Sequence, residues 1–292
     1  MFRLTARHFT DGMENNAHRQ KTTLVLGGTG KTGRRVAERL TAAGLRPRIG
    51  SRSSEPPFDW EDPATWALAL KNVDAVYLAY QPDLAFPGAV TAVRSFTALA
   101  VESGVRQLVL LSGRGEEEAG ISEQTVRDSG ADWTILRSSW FCQNFSEDYL
   151  LEPVLAGVIA FPAGDVAEPF VDVEDIADVA FAALTEDGHS GQLYELTGPR
   201  LLTFADAAAE IAAASGREVR YVPVSPEQYA AELAEHGVPA EYAASLLDLF
   251  TGVLDGRNAH LTDGVRRALG REPRDFADYA RATAATGVWD GR

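Results

Sequence analysis

The chain predicts an α/β protein, a doubly wound parallel sheet followed by a smaller, mainly helical C-terminal lobe. Short apolar, β-branched runs alternate with helical patterns from Thr22 to Arg137, as expected when strands are buried on both faces by crossover helices. The first run stops at Gly27-Gly28-Thr29-Gly30 and opens directly into a helix. Beyond Gly198-Pro199 the pattern turns mainly helical.

Thr22 to Leu26 reads as the first strand, and Val36, Leu40 and Ala43 then recur at helical spacing until Gly44. The alternation continues through Arg46 to Gly50 (strand), Pro63 to Leu70 (helix), Ala75 to Ala79 (strand), Val90 to Val101 (helix) and Gln107 to Leu111 (strand). Ile121 to Asp128 (helix) and Trp133 to Leu136 (strand) complete it. Val158 to Phe161 and Phe170-Val171 read as short strands about the Pro162-Ala163-Gly164 turn, Val173 to Leu184 as a helix and Leu193 to Thr197 as a strand. Helices are expected over Phe204 to Ala214, Pro226 to Glu235, Ala240 to Leu254, Val265 to Leu269 and Phe276 to Ala285, with a strand at Val219 to Val224. The expected organisation is a flexible leader over 1–20, a nucleotide-binding core over 21–157 and a substrate lobe over 158–292, with 170–197 returning to the core sheet.

The 292 residues carry 27 basic and 42 acidic side chains, a net charge of −15, which repels a phosphate backbone and argues against a nucleic-acid partner. Cys142 is the single cysteine, so no intrachain disulfide forms and a reducing cytoplasm fits. Met1 to Gln20 hold no apolar run, which argues against a signal peptide or membrane anchor there; Met13 offers an alternative start. His8, His18, His189, His236 and His260 show no metal-ligand spacing, so no metal is expected.

Gly27, Gly30 and Gly33 fill a G-x-x-G-x-x-G pattern between strand and helix. The first glycine permits the tight turn, the second lets the backbone approach a pyrophosphate, and the third lets the helix pack on the sheet. The phosphates then meet unpaired N–H groups at the positive end of the helix dipole. A P-loop would need a glycine where Val25 stands, so that reading fails. About twenty residues past the last glycine, where an NAD-preferring fold offers an acid to the ribose, stand Gly50-Ser51-Arg52. Arg52 can pair with a 2′-phosphate and Ser51 can hydrogen-bond it, with Lys31 or Arg34 adding positive charge. NADPH is therefore the expected cofactor.

Several blocks, in order from Leu24 to Trp289, carry a family likeness: the glycine turn, Phe58-Asp59-Trp60-Glu61-Asp62, Val73 to Leu78, and Trp133 to Arg137 with Trp140-Phe141 and Gln143-Asn144-Phe145. Phe170 to Val173 with Asp175-Ile176-Ala177, and Tyr194 to Pro199, follow. With these blocks the sequence resembles the NmrA-like group of atypical short-chain dehydrogenases/reductases, in the branch of ergot-alkaloid-type reductases and NADPH-dependent quinone reductases. The resemblance implies an extended Rossmann fold and places Thr29, Lys31 and Thr32 with the glycines at the cofactor. It also places Asp59 and Trp60 near the adenine and Tyr80-Gln81 beside the cofactor.

One departure bears on chemistry. The superfamily's Tyr-x-x-x-Lys, which protonates the reduced carbonyl, occurs nowhere in the chain; with Glu123 aligned to the acid that usually follows, the lysine and tyrosine places hold Ala119 and Gly115. Ser112 stands where the superfamily often has its catalytic serine. Glu116-Glu117-Glu118 reads as a solvated face. Trp140, Phe141 and Asn144 are the expected substrate contacts at the cleft rim, while Phe145 reads as core.

The resulting expectation is an NADPH-dependent reductase that moves a hydride to a ketone or quinone-type carbonyl of an aromatic metabolite without the Tyr-Lys pair. Imine or ene reduction, or a non-catalytic NADP(H) sensor, are the alternatives. The expected partner is a small aromatic molecule, with no membrane and the oligomeric state open.

Overall fold

The computed structural model describes residues 21–291; the expected leader and its Met13 lie outside them. In chain order the core runs β1 (Thr23–Leu26), α1 (Lys31–Ala42), β2 (Arg48–Gly50), α2 (Trp66–Leu70), β3 (Ala75–Leu78), α3 (Ala89–Glu102), β4 (Gln107–Gly113), α4 (Glu117–Arg127) and β5 (Asp132–Ser138). There follow α5 (Asn144–Glu147), α6 (Leu151–Ala156), β6 (Val158–Phe161), β7 (Ala167–Glu168), α7 (Val173–Thr185) and β8 (Gln192–Leu196). The last part comprises β9 (Leu202–Thr203), α8 (Phe204–Ser215), β10 (Arg220–Pro223), α9 (Pro226–Glu235), α10 (Ala240–Val253), α11 (Gly264–Leu269) and α12 (Phe276–Ala284).

Six strands form one parallel sheet in the order β2-β1-β3-β4-β5-β8. Successive side chains of a strand point to opposite faces, and both faces here are covered. Leu24 and Leu26 of β1 join Val76, Leu108, Leu110 and Ile135 beneath Trp66 and Phe96. Val25 joins Tyr77, Val109 and Leu136 on the other face, against α1 and α7. This two-sided burial explains why the strands read as continuous apolar runs. The α1–α7 pair is also tied by charge: Arg35 bonds Glu174 at 2.5 Å and Arg39 bonds Asp178 at 2.7 Å.

A separate aromatic core gathers Phe145, Phe161, Phe170, Phe204, Phe276 and Trp289, all nearly or fully buried. β6 pairs in parallel with β10, and β7 pairs antiparallel with β9. Two sequence expectations are corrected, and one stretch carried none. Phe170-Val171 is no strand; Val171 makes a single bridge to Phe141, while the ladder forms earlier, at Ala167–Glu168. α4 starts at Glu117 rather than Ile121, because its first turn is polar and gives no apolar signal. Short α5 and α6 occupy a stretch that the 3.6-residue pattern is too brief to reveal. Among the described residues, no helix is long and apolar enough to cross a membrane.

Candidate active site

Open parallel sheets bind ligands beyond the carboxyl ends of their strands, and a cleft of about 500 Å³ lies there. Its floor is the end of β1 and the start of α1, with Gly27, Thr29, Gly30, Lys31 and Thr32. Tyr80 and Gln81 enter after β3, Ser112 at the end of β4, and Ser139, Trp140 and Phe141 after β5. Asn144 and Tyr149 come from around α5, and Tyr242, Leu246, Leu249, Phe250 and Val253 of α10 close the far wall. Sequence reasoning missed that wall, because α10 reads as an ordinary amphipathic helix.

The glycine turn is suited to a dinucleotide. Gly27 has φ +63°, which favours glycine, and its carbonyl accepts from Gly30 N at 2.8 Å. A Cβ on Gly33 would lie 2.2 Å from the Gly27 carbonyl oxygen, so only glycine lets α1 approach this closely. Gly30 is the N-cap of α1, and no side chain caps the helix; the first N–H groups face the cleft with no side-chain partner, as an anion site requires. These residues fit a pyrophosphate.

The basic residues separate into two groups. Lys31 donates to Asn144 Oδ1 at 2.8 Å, pairs closely with Asp148, and sits 5.7 Å from the centre of the Phe141 ring. Arg34 bonds Glu147 at 2.9 Å. Both charges are thus balanced by acids more than 110 residues along the chain, which spacing alone does not reveal. Arg52 is exposed on the turn after β2 and has no ion pair among the described residues. Ser51 lies beside it, its Oγ 3.3 Å from that of Ser53.

Asp59 and Trp60 stand behind the cleft lining. Asp59 Oδ1 accepts from the Glu61 N–H at 3.1 Å, and its carbonyl accepts from Trp66 Nε1 at 2.7 Å. The Trp60 ring is 5.0 Å from Phe58 and 4.9 Å from Tyr80, and its Nε1 donates to the Ala79 carbonyl. This aromatic stack braces Tyr80 against the cleft.

The register of β4 on β5 sets Ser112 beside Arg137. Both reach the buried Glu123: Ser112 Oγ donates to Oε1 at 2.7 Å, and Arg137 donates to both oxygens at 2.8 and 2.5 Å. The Ser112 hydroxyl hydrogen is therefore turned to a carboxylate, and the serine lines the cleft. Among the substrate candidates, the Trp140 ring packs 5.6 Å from Phe250 within the aromatic core, and Phe141 and Asn144 sit about Lys31.

Three acids are unexpected. Only Glu117 and Glu118 of the acidic run are exposed; Glu116 turns inward, its carboxylate folded over Gly113. It faces Asp83, and burial plus the neighbouring carboxyl push Glu116 well above the usual carboxylate range; burial raises Asp83 as well. Glu168, 2% exposed on β7, also lines the cleft. Burial pushes its carboxyl up to about 7, against the opposing pull of Arg114. A glutamate beside Pro169 in a loop-rich stretch carries no sequence signal, whereas Glu116 was findable from its place just past the β4 end. Among the described residues, no cluster of His, Cys, Asp or Glu is arranged to hold a metal ion.

A glycine turn at the β1 end, with a water-shielding cleft of aromatic residues beside it, defines a dinucleotide-dependent α/β enzyme. A family model described as NAD(P)H-binding matches residues 27–187. The uncharacterised oxidoreductase YesF of Bacillus subtilis is 33% identical over 93% of this chain and 99% of its own. Agroclavine dehydrogenase of Claviceps fusiformis is 36% identical over 88% and 96%. Among solved structures, a nucleoside-diphosphate-sugar epimerase from Staphylococcus aureus shares the fold, at TM-score 0.76 and 21% identity over 90% of this chain and 100% of that one. The chain belongs to the NAD(P)H-binding family, in its NmrA-like, atypical short-chain dehydrogenase/reductase line, and is an NAD(P)H-dependent oxidoreductase.

Proposed function

We propose that the protein is an NADPH-dependent reductase of a ketone or quinone-type carbonyl on an aromatic molecule. The observation that carries this reading is the cleft wall of Trp140, Phe141, Tyr149 and Phe250 directly beside the glycine turn. Aromatic walls bind flat apolar ligands, and a few polar groups among them fix orientation. Relatives named agroclavine dehydrogenase and NAD(P)H azoreductase, the latter 31% identical, are consistent with an aromatic substrate.

The backbone N–H groups at Gly27 to Thr32 hold the pyrophosphate, and Arg52 with Ser51 takes the 2′-phosphate that distinguishes NADPH from NADH. Bound there, the reduced nicotinamide supplies a hydride. The chain's own part is to place the carbonyl against it, exclude water with the α10 wall, and supply a proton to the carbonyl oxygen. Asn144, held by Lys31, and Ser112, held by Glu123, orient polar groups of the substrate.

Imine reduction is the second reading, favoured by the lining charge: Asp83, Glu116, Glu147, Asp148 and Glu168 against Lys31, Arg34 and Arg114. Even with one proton held between Asp83 and Glu116 the lining is slightly acidic, which suits a cationic iminium. NADPH consumption with matched aromatic ketones, quinones and cyclic imines separates the readings; higher kcat/KM for the carbonyl compounds is expected, and turnover of imines alone would reverse the order. In the same assay Arg52→Ala should lose the charge-assisted phosphate contact, about 1.5–3 kcal/mol for NADPH and little for NADH. Equal losses for both cofactors would remove Arg52 from the 2′-phosphate site.

A further inference from the structure

We propose that Glu168 is the proton donor of the reaction, its carboxyl O–H hydrogen-bonding the carbonyl oxygen of the substrate and then protonating it. The inference rests on the carbonyl reading above and fills the place of the absent Tyr-Lys pair. It starts from four buried side-chain atoms that have no hydrogen-bond partner and line this one cavity: Glu116 Oε2, Trp140 Nε1, Tyr149 OH and Glu168 Oε1. Tyr149 has Trp140 and Asn144 beside it and Glu116 has Asp83, whereas Glu168 has no such neighbour; buried polar groups are nearly always paired, so the Glu168 carboxyl is set to meet a polar atom that the ligand brings.

Of the four residues, Glu168 alone is almost wholly buried, at 2% exposure. The backbone sets it at the strand ends: the carbonyl of the next residue, Pro169, accepts from Ser139 Oγ at 2.5 Å, just past β5. The charged groups facing it are Arg114, at the end of β4, and Asp255, after α10. Arg114 commits its directed bonds to Glu195, the Asn258 carbonyl and His260, which leaves the Glu168 carboxyl free toward the cavity.

The other candidates are engaged or unsuited. Ser112 gives its proton to Glu123. Glu116 faces Asp83, and the carboxyl pair holds a proton between its members. Tyr149 is a phenol that burial pushes still higher and has no lysine four residues on to lower it, so it is a weaker acid than Glu168, and the Trp140 indole N–H does not dissociate. A carboxyl that burial pushes up to about 7 stays available in its protonated form near neutral pH and yields its proton readily.

The step balances. The O–H bond of Glu168 breaks and a bond to the carbonyl oxygen forms; the carbonyl π electrons move onto that oxygen, and the carbon gains the hydride from the reduced nicotinamide. Water then returns a proton to the Glu168 carboxylate.

The test is Glu168→Gln, which keeps the shape of the side chain and removes the acid. NADPH affinity should stay within about twofold, and kcat for an aromatic ketone should fall roughly 10²–10⁴-fold. Wild-type kcat should decline above about pH 7 as Glu168 ionises, and the variant should lack that decline. A variant with kcat within threefold of wild type, or one that keeps the alkaline decline, would overturn the assignment while leaving carbonyl reduction intact.

A second readout needs no turnover. In pH-difference infrared spectra of wild type minus variant, a carboxyl band should titrate near 7, and an unreacted aromatic ketone added with NADP⁺ should move that titration upward, because only the protonated carboxyl donates to a carbonyl. A band that is absent, or unmoved by the ketone, overturns the proposal even if the wild type proves to reduce only imines.

Discussion

Gly30→Asp is expected to abolish NADPH binding in a protein that remains folded. Gly30 has φ −83°, a conformation open to any residue, and an added Cβ would meet the Gly27 carbonyl at 3.2 Å and Gln81 Nε2 at 3.6 Å. Aspartate is also a preferred N-cap, so α1 loses nothing and gains a partner for its first N–H groups. Those N–H groups are the ones the pyrophosphate needs. At an effective dielectric of about 20, a carboxylate about 4 Å from a phosphate oxygen costs about 4 kcal/mol, roughly a thousandfold in affinity. Circular dichroism should be unchanged, and calorimetric titration should show no NADPH binding. A folded variant that binds NADPH normally would mean that the turn is only a structural link between β1 and α1.

Glu123→Ala is expected to cost stability although it lies away from the aromatic cores. Glu123 is 2% exposed and anchors Ser112, Arg137 and, at 3.7 Å, Arg127. Arg137 and Arg127 are 31% and 33% exposed and rehydrate in part when the carboxylate is removed, so the lost charge-assisted hydrogen bonds should cost about 1.5–3 kcal/mol. Denaturant melts should show that loss with an unchanged m-value. Because Ser112 would then be free to rotate, substrate KM should rise as well; a variant with wild-type stability would show that water replaces the carboxylate at no cost.

The fold was legible where burial leaves a mark on the text. The strands of the large sheet are covered on both faces, so Leu24-Val25-Leu26 and Leu108 to Leu111 show as unbroken apolar runs. The glycine turn was legible because Gly27 takes a positive φ and Gly33 leaves no room for a Cβ against the Gly27 carbonyl. β7 and β9, two residues each, are too short for any periodicity, and Phe170 and Val171 divide between the aromatic core and the sheet core rather than forming a ladder.

The site was legible in its floor and not in its charge balance. Lys31 and Arg34 look like phosphate ligands until Glu147 and Asp148 arrive from α5 and its C-terminal end to neutralise them. The acidic run Glu116 to Glu118 looks uniform, yet a strand end before it turns one member into the cleft and leaves two in water. Glu168 becomes visible only when burial and missing partners are known, properties that arise from chain segments far apart in sequence.

Isotope transfer tests the central claim most directly. With NADPH deuterated at the transferring position of nicotinamide C4 and an aromatic ketone, the alcohol product should carry one deuterium, on the former carbonyl carbon. NADPH oxidation that leaves the product carbon unlabelled, or no oxidation with any carbonyl compound, would contradict hydride transfer to a carbonyl as the function of this cleft.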